Sequence, residues 1–347
     1  MTRVVAIILH ALSGAGAGPL EAAFAAARAA NAARQARGFE SVGATARIVE
    51  IRPGGASFGE RVREVVAGAG GGVVVLGSGS VPLATPADRR RFVEAASTPG
   101  GPVLANNRFS ADIVALPAGL RLVDLPDLVA DNGLPRWLAE RDIGVADVHA
   151  RWRLQVDLDS PLDALLAGLG RSAAAAPRAT PDDGRVRAAA ARVLAATADP
   201  AAELLVAGRS SSSTLAWLER NTASRTRALI EERGMRTSRG GQRSVRTTIG
   251  LLLDRDGPES LGAHLAELSD AAVVDTRVLL AHRLGTDESG WPRAEDRFAS
   301  DLLLHERIGD PWLRALTRAA AEAPVPILLG GHTLVGPGLR LLRNLAA

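Results

Sequence analysis

The sequence predicts an α/β protein whose mostly parallel sheets are covered by helices on both faces. Short apolar runs, typical of strands buried on both faces, alternate along the chain with longer helix-type segments. Apolar residues make up 47% of the chain, which is enough for extensive buried cores. At 347 residues the chain exceeds the usual size of one compact core, so we expect two domains.

The first half begins with an apolar run at residues 4–9, followed by a Gly/Ala-rich loop at residues 10–18. One later helix has a clear start, because Thr85 is a good capping residue and Pro86 suits the first helical position. The other predicted strands are 44–51, 72–76, 103–105, 111–116 and 151–156, and the predicted helices are 19–36, 58–69, 86–96 and 125–138. This alternation predicts a first domain over residues 1–170.

Residues 171–184 mix alanine, proline, threonine and aspartate without an apolar period, which is typical of a linker. Strand-type and helix-type segments then alternate again over residues 185–347. The predicted strands are 202–207, 227–231, 248–253, 271–281 and 325–329, and the predicted helices are 186–197, 215–221, 258–268, 311–323 and 337–345. This part is expected to be a second, Rossmann-like α/β domain.

Composition excludes several classes of function. The chain has no cysteine and no lysine, which excludes thiolate catalysis, zinc–thiolate sites, Schiff-base chemistry and a P-loop lysine. The 41 basic residues, all arginine, are interspersed with 38 acidic ones, which argues against a nucleic-acid partner. No apolar run reaches the ~20 residues that span a bilayer, and the start lacks a signal-peptide cleavage region. We therefore expect a cytoplasmic protein without a membrane partner.

Three carboxylates lie close together at Asp157, Asp159 and Asp163, directly after the predicted strand 151–156. Acids at a strand end are suitable ligands for a hard divalent cation such as Mg²⁺. The alternative is an ordinary strand-to-helix turn with acidic capping, because acids are common at helix starts. The spacing alone leaves both interpretations open.

Two stretches together resemble a known family. Residues 79–88 read Gly-Ser-Val-Pro-Leu-Ala-Thr-Pro-Ala-Asp, and residues 157–163 read Asp-Leu-Asp-Ser-Pro-Leu-Asp. They are similar in order and separation to the Asp-x-Pro-Leu…Thr-Pro and Asp-x-Asp-Thr-Pro-Glu-Asp motifs of glycosyltransferase-A-type nucleotidyltransferases. Within that family the chain looks most like the molybdenum-cofactor nucleotidyltransferase and 2-phospholactate guanylyltransferase branch. The resemblance covers roughly residues 1–170.

The resemblance implies transfer of a nucleoside monophosphate from an NTP to a small phosphorylated metabolite. It implies a divalent metal held by two acids, one from each motif, which would stabilise charge as pyrophosphate departs. In this chain the candidate ligands for Mg²⁺ are Asp157 first and Asp159 second. It also implies that the first loop, with Ser13, Gly14 and Gly16, wraps the nucleotide phosphates. The glycines of that loop would present backbone N–H groups to an anion, and the following helix start adds a favourable dipole. The alternative is that the Gly/Ala-rich loop is simply a flexible turn.

The sequence departs from the family pattern at two positions that affect catalysis. Ser80 stands where the family has its first metal-binding aspartate, and a hydroxyl is a poorer Mg²⁺ ligand than a carboxylate. The first loop lacks the family's arginine and lysine. The alternative is therefore a catalytically degenerate protein that binds a ligand or acts as a regulator, or one whose activity lies in the second domain.

A polar cluster that includes Asn107 and Asp112 lies between two apolar stretches of the first half. It suits a substrate contact near the carboxyl edge of the sheet, and the alternative is a solvated loop. Asp112 borders an apolar strand and needs a partner if buried, for which Arg108 is a candidate. It is also a candidate to replace the acid missing at position 80.

The best candidate site of the second half is the loop that contains Arg209, Ser210, Ser211, Ser212 and Ser213, between a predicted strand and a helix. An arginine, hydroxyls and a helix N-terminus favour an anion, while the alternative is a serine-rich helix cap. Asp275 and Arg277 are expected on one face of a strand, in an ion pair with Glu295, Asp296 or Arg297. Arg236, Arg239, Arg243 and Arg246 form a further polar loop that suits a phosphate or is simply solvated.

Overall fold

The computed structural model describes residues 2–12, 14, 16–52, 55–128, 133–169, 183–232 and 244–346. The chain forms two compact units. The first unit comprises Met1–Gly16 and Ala25–Leu158, and the second comprises Ala17–Phe24 and Asp159–Ala347. Nearly all of the predicted linker, and three of the four arginines of the polar loop at 236–246, lie outside the described residues.

The first unit is built on a six-stranded sheet in the order β2-β1-β3-β5-β4-β6. Its strands are β1 (Val4–Ala11), β2 (Thr45–Ile51), β3 (Gly72–Gly77), β4 (Val103–Ala105), β5 (Ile113–Leu116) and β6 (Val145–Asp147). Its helices are α1 (Pro19–Glu40), whose first residues belong to the second unit, α2 (Phe58–Gly68), α3 (Pro86–Ser97) and α4 (Leu134–Ala139). The sheet is mostly parallel, and β5 runs antiparallel to both of its neighbours.

The apolar runs become the two buried faces of this sheet. Alternate residues of β1 and β3 pack with Phe39 of α1 and Phe92 of α3 on one face. The intervening residues pack with Val62 of α2 and Leu134 of α4 on the other face. Because both faces are covered, the strands read as continuous hydrophobic runs, as predicted for a mostly parallel sheet.

The second unit contains a four-stranded, fully parallel sheet in the order β10-β9-β7-β8. Its strands are β7 (Glu203–Gly208), β8 (Arg225–Ile230), β9 (Ala271–Asp275) and β10 (Ile327–Gly330). Its helices are α5 (Pro161–Leu166), α6 (Gly184–Thr197), α7 (Ser212–Asn221), α8 (Thr248–Asp256), α9 (Leu261–Leu268), α10 (Thr276–Leu284), α11 (Ala294–Asp301), α12 (Pro311–Ala321), α13 (His332–Val335) and α14 (Leu342–Ala346). The chain moves from β7 to β8 on one side, whereas β9 and β10 lie on the other. The point between β7 and β9 is therefore a topological switch point, where α/β proteins commonly bind ligands.

Three predictions of strands were wrong. The predicted strand 151–156 contains a 3₁₀ turn, Trp152–Gln155. The predicted strand 248–253 is helix α8, whose start is capped by Thr247 through a hydrogen bond from the Gly250 N–H. The predicted strand 271–281 ends at Asp275, where α10 begins. Short apolar runs do not distinguish a buried strand from a buried helix, so a capping residue at the start of the run is the signal that indicates a helix.

Helix boundaries also differ from the predictions. The helix expected over residues 125–138 is the short α4, and β6 was not predicted at all. Across the described residues, no helix is both long enough and apolar enough to cross a membrane.

Candidate functional site

The two stretches that carry the family resemblance meet in the first unit. Ser80 and Asp157 form an antiparallel β-bridge just beyond the carboxyl end of β3. The Leu158 N–H donates to the Gly79 carbonyl oxygen at 3.1 Å. A Cβ added to Gly79 would lie only 2.7 Å from the Leu158 carbonyl oxygen, so a glycine is needed for this close approach. Two segments separated by more than seventy residues are thus held side by side at the sheet edge.

Ser80 contributes its side chain to the turn itself. Its hydroxyl oxygen accepts a hydrogen bond from the Gly77 N–H at 3.2 Å, and the residue is buried. The neighbouring carboxylate of Asp157 is half-buried. Of the two bridged positions, only Asp157 therefore carries a charged oxygen.

Helix α1 holds the turn after β3 through side-chain amides. Asn31 Nδ2 donates to the carbonyl oxygens of Ser78 at 2.9 Å and Ser80 at 3.2 Å. Gln35 Nε2 donates to the Val81 carbonyl oxygen at 2.9 Å. Val81 has φ of +43°, a conformation that a β-branched residue adopts only when its surroundings impose it. Asn31 and Gln35 thus position the turn that carries Ser80.

Sequence reasoning missed both amides. Their only signal is two polar residues four positions apart in an alanine-rich helix, both of which are completely buried in the structure. A second polar pair continues the network, because Arg89 of α3 donates from Nε and Nη2 to Gln35 Oε1 at 3.1 and 3.0 Å. Burial lowers the pKa of Arg89, and the nearby charge of Arg34 acts in the same direction.

The structure describes part of the first loop and the start of α1 that follows it. Gly14 and Gly16 have open space around them, while Ser13 lies outside the described residues. At the start of α1, the N–H groups of Leu20 and Glu21 donate to the Glu295 carboxylate over 3.0–3.1 Å. These three residues belong to the second unit. An internal carboxylate therefore already binds these two N–H groups.

Asn107 and Asp112 both take part in the hydrogen bonds of their own loop. Asn107 Oδ1 accepts from the Phe109 N–H at 2.9 Å, which closes a local turn. Asn106 Nδ2 donates to Asp112 Oδ2 at 2.8 Å, and Asn106 Oδ1 accepts from the Asp112 N–H at 2.9 Å. Asp112 therefore has a partner in Asn106, while Arg108 lies over the Phe109 ring.

In the second unit, Arg209 and Asp275 meet across the switch point between β7 and β9. Arg209 donates from Nε to Asp275 Oδ2 at 2.6 Å and from Nη2 to Oδ1 at 3.1 Å. Burial alone would favour the neutral carboxyl, yet the Arg209 charge holds the pKa of Asp275 below its ordinary value. A Cβ on Gly208, whose φ is +123°, would lie 2.3 Å from the Asp275 Cβ. The chain can pass this close only with glycine there.

Arg277 has a different partner from the one expected. It lies in the first turn of α10 rather than on a strand, and its Nη1 and Nη2 donate to Asp301 Oδ1 and Oδ2. The predicted pairing with Glu295, Asp296 or Arg297 is therefore wrong. Although burial lowers the pKa of Arg277, the Asp301 carboxylate raises it above its ordinary value.

Asp163 is a buried acid of this unit. It is 1% exposed, and its Oδ2 accepts from the Asp159 N–H at 3.0 Å and from Ser160 Oγ at 2.9 Å. Burial raises the pKa of Asp163 to about 8, and the negative charges of Asp159 and Asp301 act in the same direction. Asp163 is therefore protonated at neutral pH, whereas Asp159 is exposed to solvent.

The described residues contain no group of three or more His, Cys, Asp or Glu side chains that could hold a metal ion. A cation bound at any of these acids would therefore take most of its ligands from substrate or water. Magnesium ions commonly bind in this way.

Comparisons with known proteins do not assign the chain to a family. No protein-family model matches it, and no curated protein is significantly similar to it. One solved structure with some similarity is the complex of Rv0371C with manganese from Mycobacterium tuberculosis H37Rv. That likeness has 18% identity, covers 42% of this chain and 87% of the other, and has a TM-score of 0.27. A TM-score this low carries no argument about the function of this chain.

Proposed function

We propose that the first unit binds a nucleoside triphosphate with Mg²⁺ and transfers the nucleoside monophosphate to a small phosphorylated metabolite. The observation that supports this proposal is the β-bridge between Ser80 and Asp157. It joins the two stretches that resemble nucleotidyltransferase motifs, at the carboxyl end of β3. Ligands of α/β proteins commonly bind at that end of the strands.

The carboxylates available here fit a Mg²⁺ ion that is bound together with a substrate. They do not fit a site in which the protein supplies every ligand. Asp157 is the carboxylate next to the turn after β3 and the candidate ligand of the first unit, whereas Asp159, the second candidate from the sequence, belongs to the second unit. When bound, Mg²⁺ would neutralise charge on the triphosphate and on the departing pyrophosphate. One or two carboxylates with phosphate oxygens and water satisfy its six positions.

The role of the protein in this reaction is mainly positioning. A phosphate oxygen of the acceptor attacks the α-phosphorus of the NTP, the bond to the β-phosphate oxygen breaks, and pyrophosphate leaves. Such transfer depends on alignment of the attacking and leaving groups. The amides of Asn31 and Gln35 restrain the turn from Ser78 to Val81, so the backbone beside Asp157 is held in one conformation.

A second candidate is a binding protein that retains the fold without catalysis. The observation that favours it is the hydrogen bond from the Gly77 N–H to the Ser80 hydroxyl. A serine supplies no charge at that position, and this hydrogen bond already occupies one lone pair of its only side-chain oxygen. Such a protein would bind a nucleotide or phosphorylated metabolite and leave it unchanged.

Calorimetric titration of the full chain with each of four NTPs, with and without Mg²⁺, tests the proposal. We expect Mg²⁺-dependent binding of at least one NTP that Asp157→Asn abolishes and the exposed control Asp124→Asn preserves. Release of pyrophosphate with an acceptor present separates transfer from binding alone. Binding that ignores both Mg²⁺ and the Asp157 substitution would refute the proposal, and Mg²⁺-dependent binding without turnover would support the second candidate.

A further inference from the structure

We infer that the switch point of the second unit is a separate binding site for a phosphate group, formed by the turn from Gly208 to Ser213 and its neighbours. This site lies at the carboxyl ends of β7 and β9, where the chain departs in opposite directions. Side chains and N–H groups from both strand ends converge there. The inference does not depend on the function proposed for the first unit.

The ion pair with Asp275 fixes the Arg209 guanidinium but occupies only some of its N–H groups. Its Nε and Nη2 bind the two oxygens of Asp275, which is completely buried, and its side chain is 14% exposed. Among the described residues, its remaining terminal nitrogen, Nη1, has no hydrogen-bond partner. Asp275 thus orients the guanidinium and leaves one donor group available for an anion.

Ser210, the next residue, carries a polar atom without a partner. Its Oγ is buried and has no hydrogen-bond partner among the described residues. A buried hydroxyl without a partner is costly, because it has lost water without gaining a protein contact. A bound oxyanion beside it would accept this hydrogen bond.

The start of α7 adds further donors. Its first two residues, Ser212 and Ser213, have N–H groups that no carbonyl of the helix can reach. The Ser211 hydroxyl oxygen lies 2.9 Å from that of Ser213 and 3.2 Å from that of Thr214 at the same turn. The helix has ten residues, so its dipole also favours a negative charge at this end.

Two more basic side chains lie next to this turn. Arg340 Nη2 donates to the Ser213 carbonyl oxygen at 3.1 Å, and its guanidinium lies over the Trp217 ring. A Cβ on Gly336 would lie 4.0 Å from the Arg209 carbonyl oxygen and 3.8 Å from His332 Nε2. Arg340 thus contacts the turn at Ser213, and His332 lies close enough to Asp275 to act on its charge. Asp275 balances one of these charges, and the exposed Asp159 lies close enough to interact with Arg209.

The chemistry that fits these donors is a phosphate dianion, free or as a monoester. It has enough oxygens to accept from Arg209, the Ser210 hydroxyl and the N–H groups of α7 at once. It requires no metal ion. In this property the site differs from the one proposed for the first unit.

Titration of the full chain with inorganic phosphate in EDTA tests the inference, and glycerol 2-phosphate serves as the monoester probe. We expect saturable binding at millimolar phosphate, unchanged in Asp157→Asn. Ser212→Glu places a negative charge in the first turn of α7 at an exposed position, which suits the helix but repels phosphate. We expect it to weaken binding about tenfold or more, and the neutral Ser212→Gln to bind like the wild type.

Thermal unfolding of each variant shows that it is folded. Binding of the monoester as well as of free phosphate would indicate a phosphorylated metabolite, and binding of free phosphate alone would indicate the inorganic ion. Either result supports the site. The inference is overturned if phosphate does not saturate the wild type, if Ser212→Glu binds normally, or if Asp157→Asn abolishes binding. If the wild type binds phosphate saturably but binds none of the NTPs, only the function proposed for the first unit is rejected.

Discussion

Asn31 in α1 donates its side-chain amide to the carbonyl oxygen of Ser80, 49 residues later, at 3.2 Å. The same amide also reaches Ser78 at 2.9 Å, and the side chain is completely buried. The carbonyl groups of a buried turn need hydrogen-bond donors, because water does not reach them. Here a helix side chain satisfies two of them and thereby positions the stretch that meets Asp157.

Asn31→Ala is expected to lower the free energy of unfolding by roughly 1–3 kcal/mol. The substitution leaves two buried carbonyl oxygens without this donor, and that is the usual cost of unsatisfied buried groups. Chemical denaturation measures the change. Arg37→Ala, an exposed substitution in the same helix, should stay within about 0.5 kcal/mol of the wild type. Equal effects of the two substitutions would contradict this role for Asn31.

Arg209→Ala is expected to lower the free energy of unfolding by about 3–5 kcal/mol. It leaves the Asp275 carboxylate completely buried without its cationic partner. The control is Arg255→Ala, which breaks an exposed pair with Asp256 and should leave the stability close to that of the wild type. Adding Asp275→Asn to Arg209→Ala should recover part of the loss. If the double variant is less stable than Arg209→Ala, the ion pair is not the cause.

Asp163 should make the second unit less stable as pH rises from about 4 to about 8. Its carboxyl keeps a proton in the folded chain up to about pH 8, whereas in the unfolded chain it loses the proton near pH 4. Between these values the folded state binds more protons, so the slope is negative, at most about 1.4 kcal/mol per pH unit. Denaturation across this range, compared between wild type and Asp163→Asn, measures the difference.

Asp163→Asn should remove this contribution, so its stability relative to the wild type should increase with pH up to about 8. Asp124→Asn, at an exposed position, should follow the wild type at every pH. Parallel curves for wild type and Asp163→Asn would show that Asp163 titrates normally in the folded protein.

Strands that are buried on both faces could be predicted from the sequence. The runs at residues 4–9, 72–76 and 204–207 are continuous and apolar because both faces of these strands are covered. The run at 271–281 misled the prediction because an apolar segment crosses a strand end and continues into α10. There the decisive feature is Asp275, whose side chain accepts from the Arg277 N–H at 3.1 Å and starts the helix.

The candidate sites could be predicted only in part, because the partners of their residues are distant in sequence. Motif order predicted that positions 80 and 157 are relevant together, and loop composition pointed to Arg209 and the serines after it. The partners of these residues are distant in sequence: Asn31 for Ser80, Glu295 for the start of α1, and Asp275 for Arg209. A local sequence pattern indicates burial and helix capping, because both depend on residues that are close together in the chain. Which buried donor meets which acceptor depends on how the strands are ordered, and that ordering arises only when the chain packs.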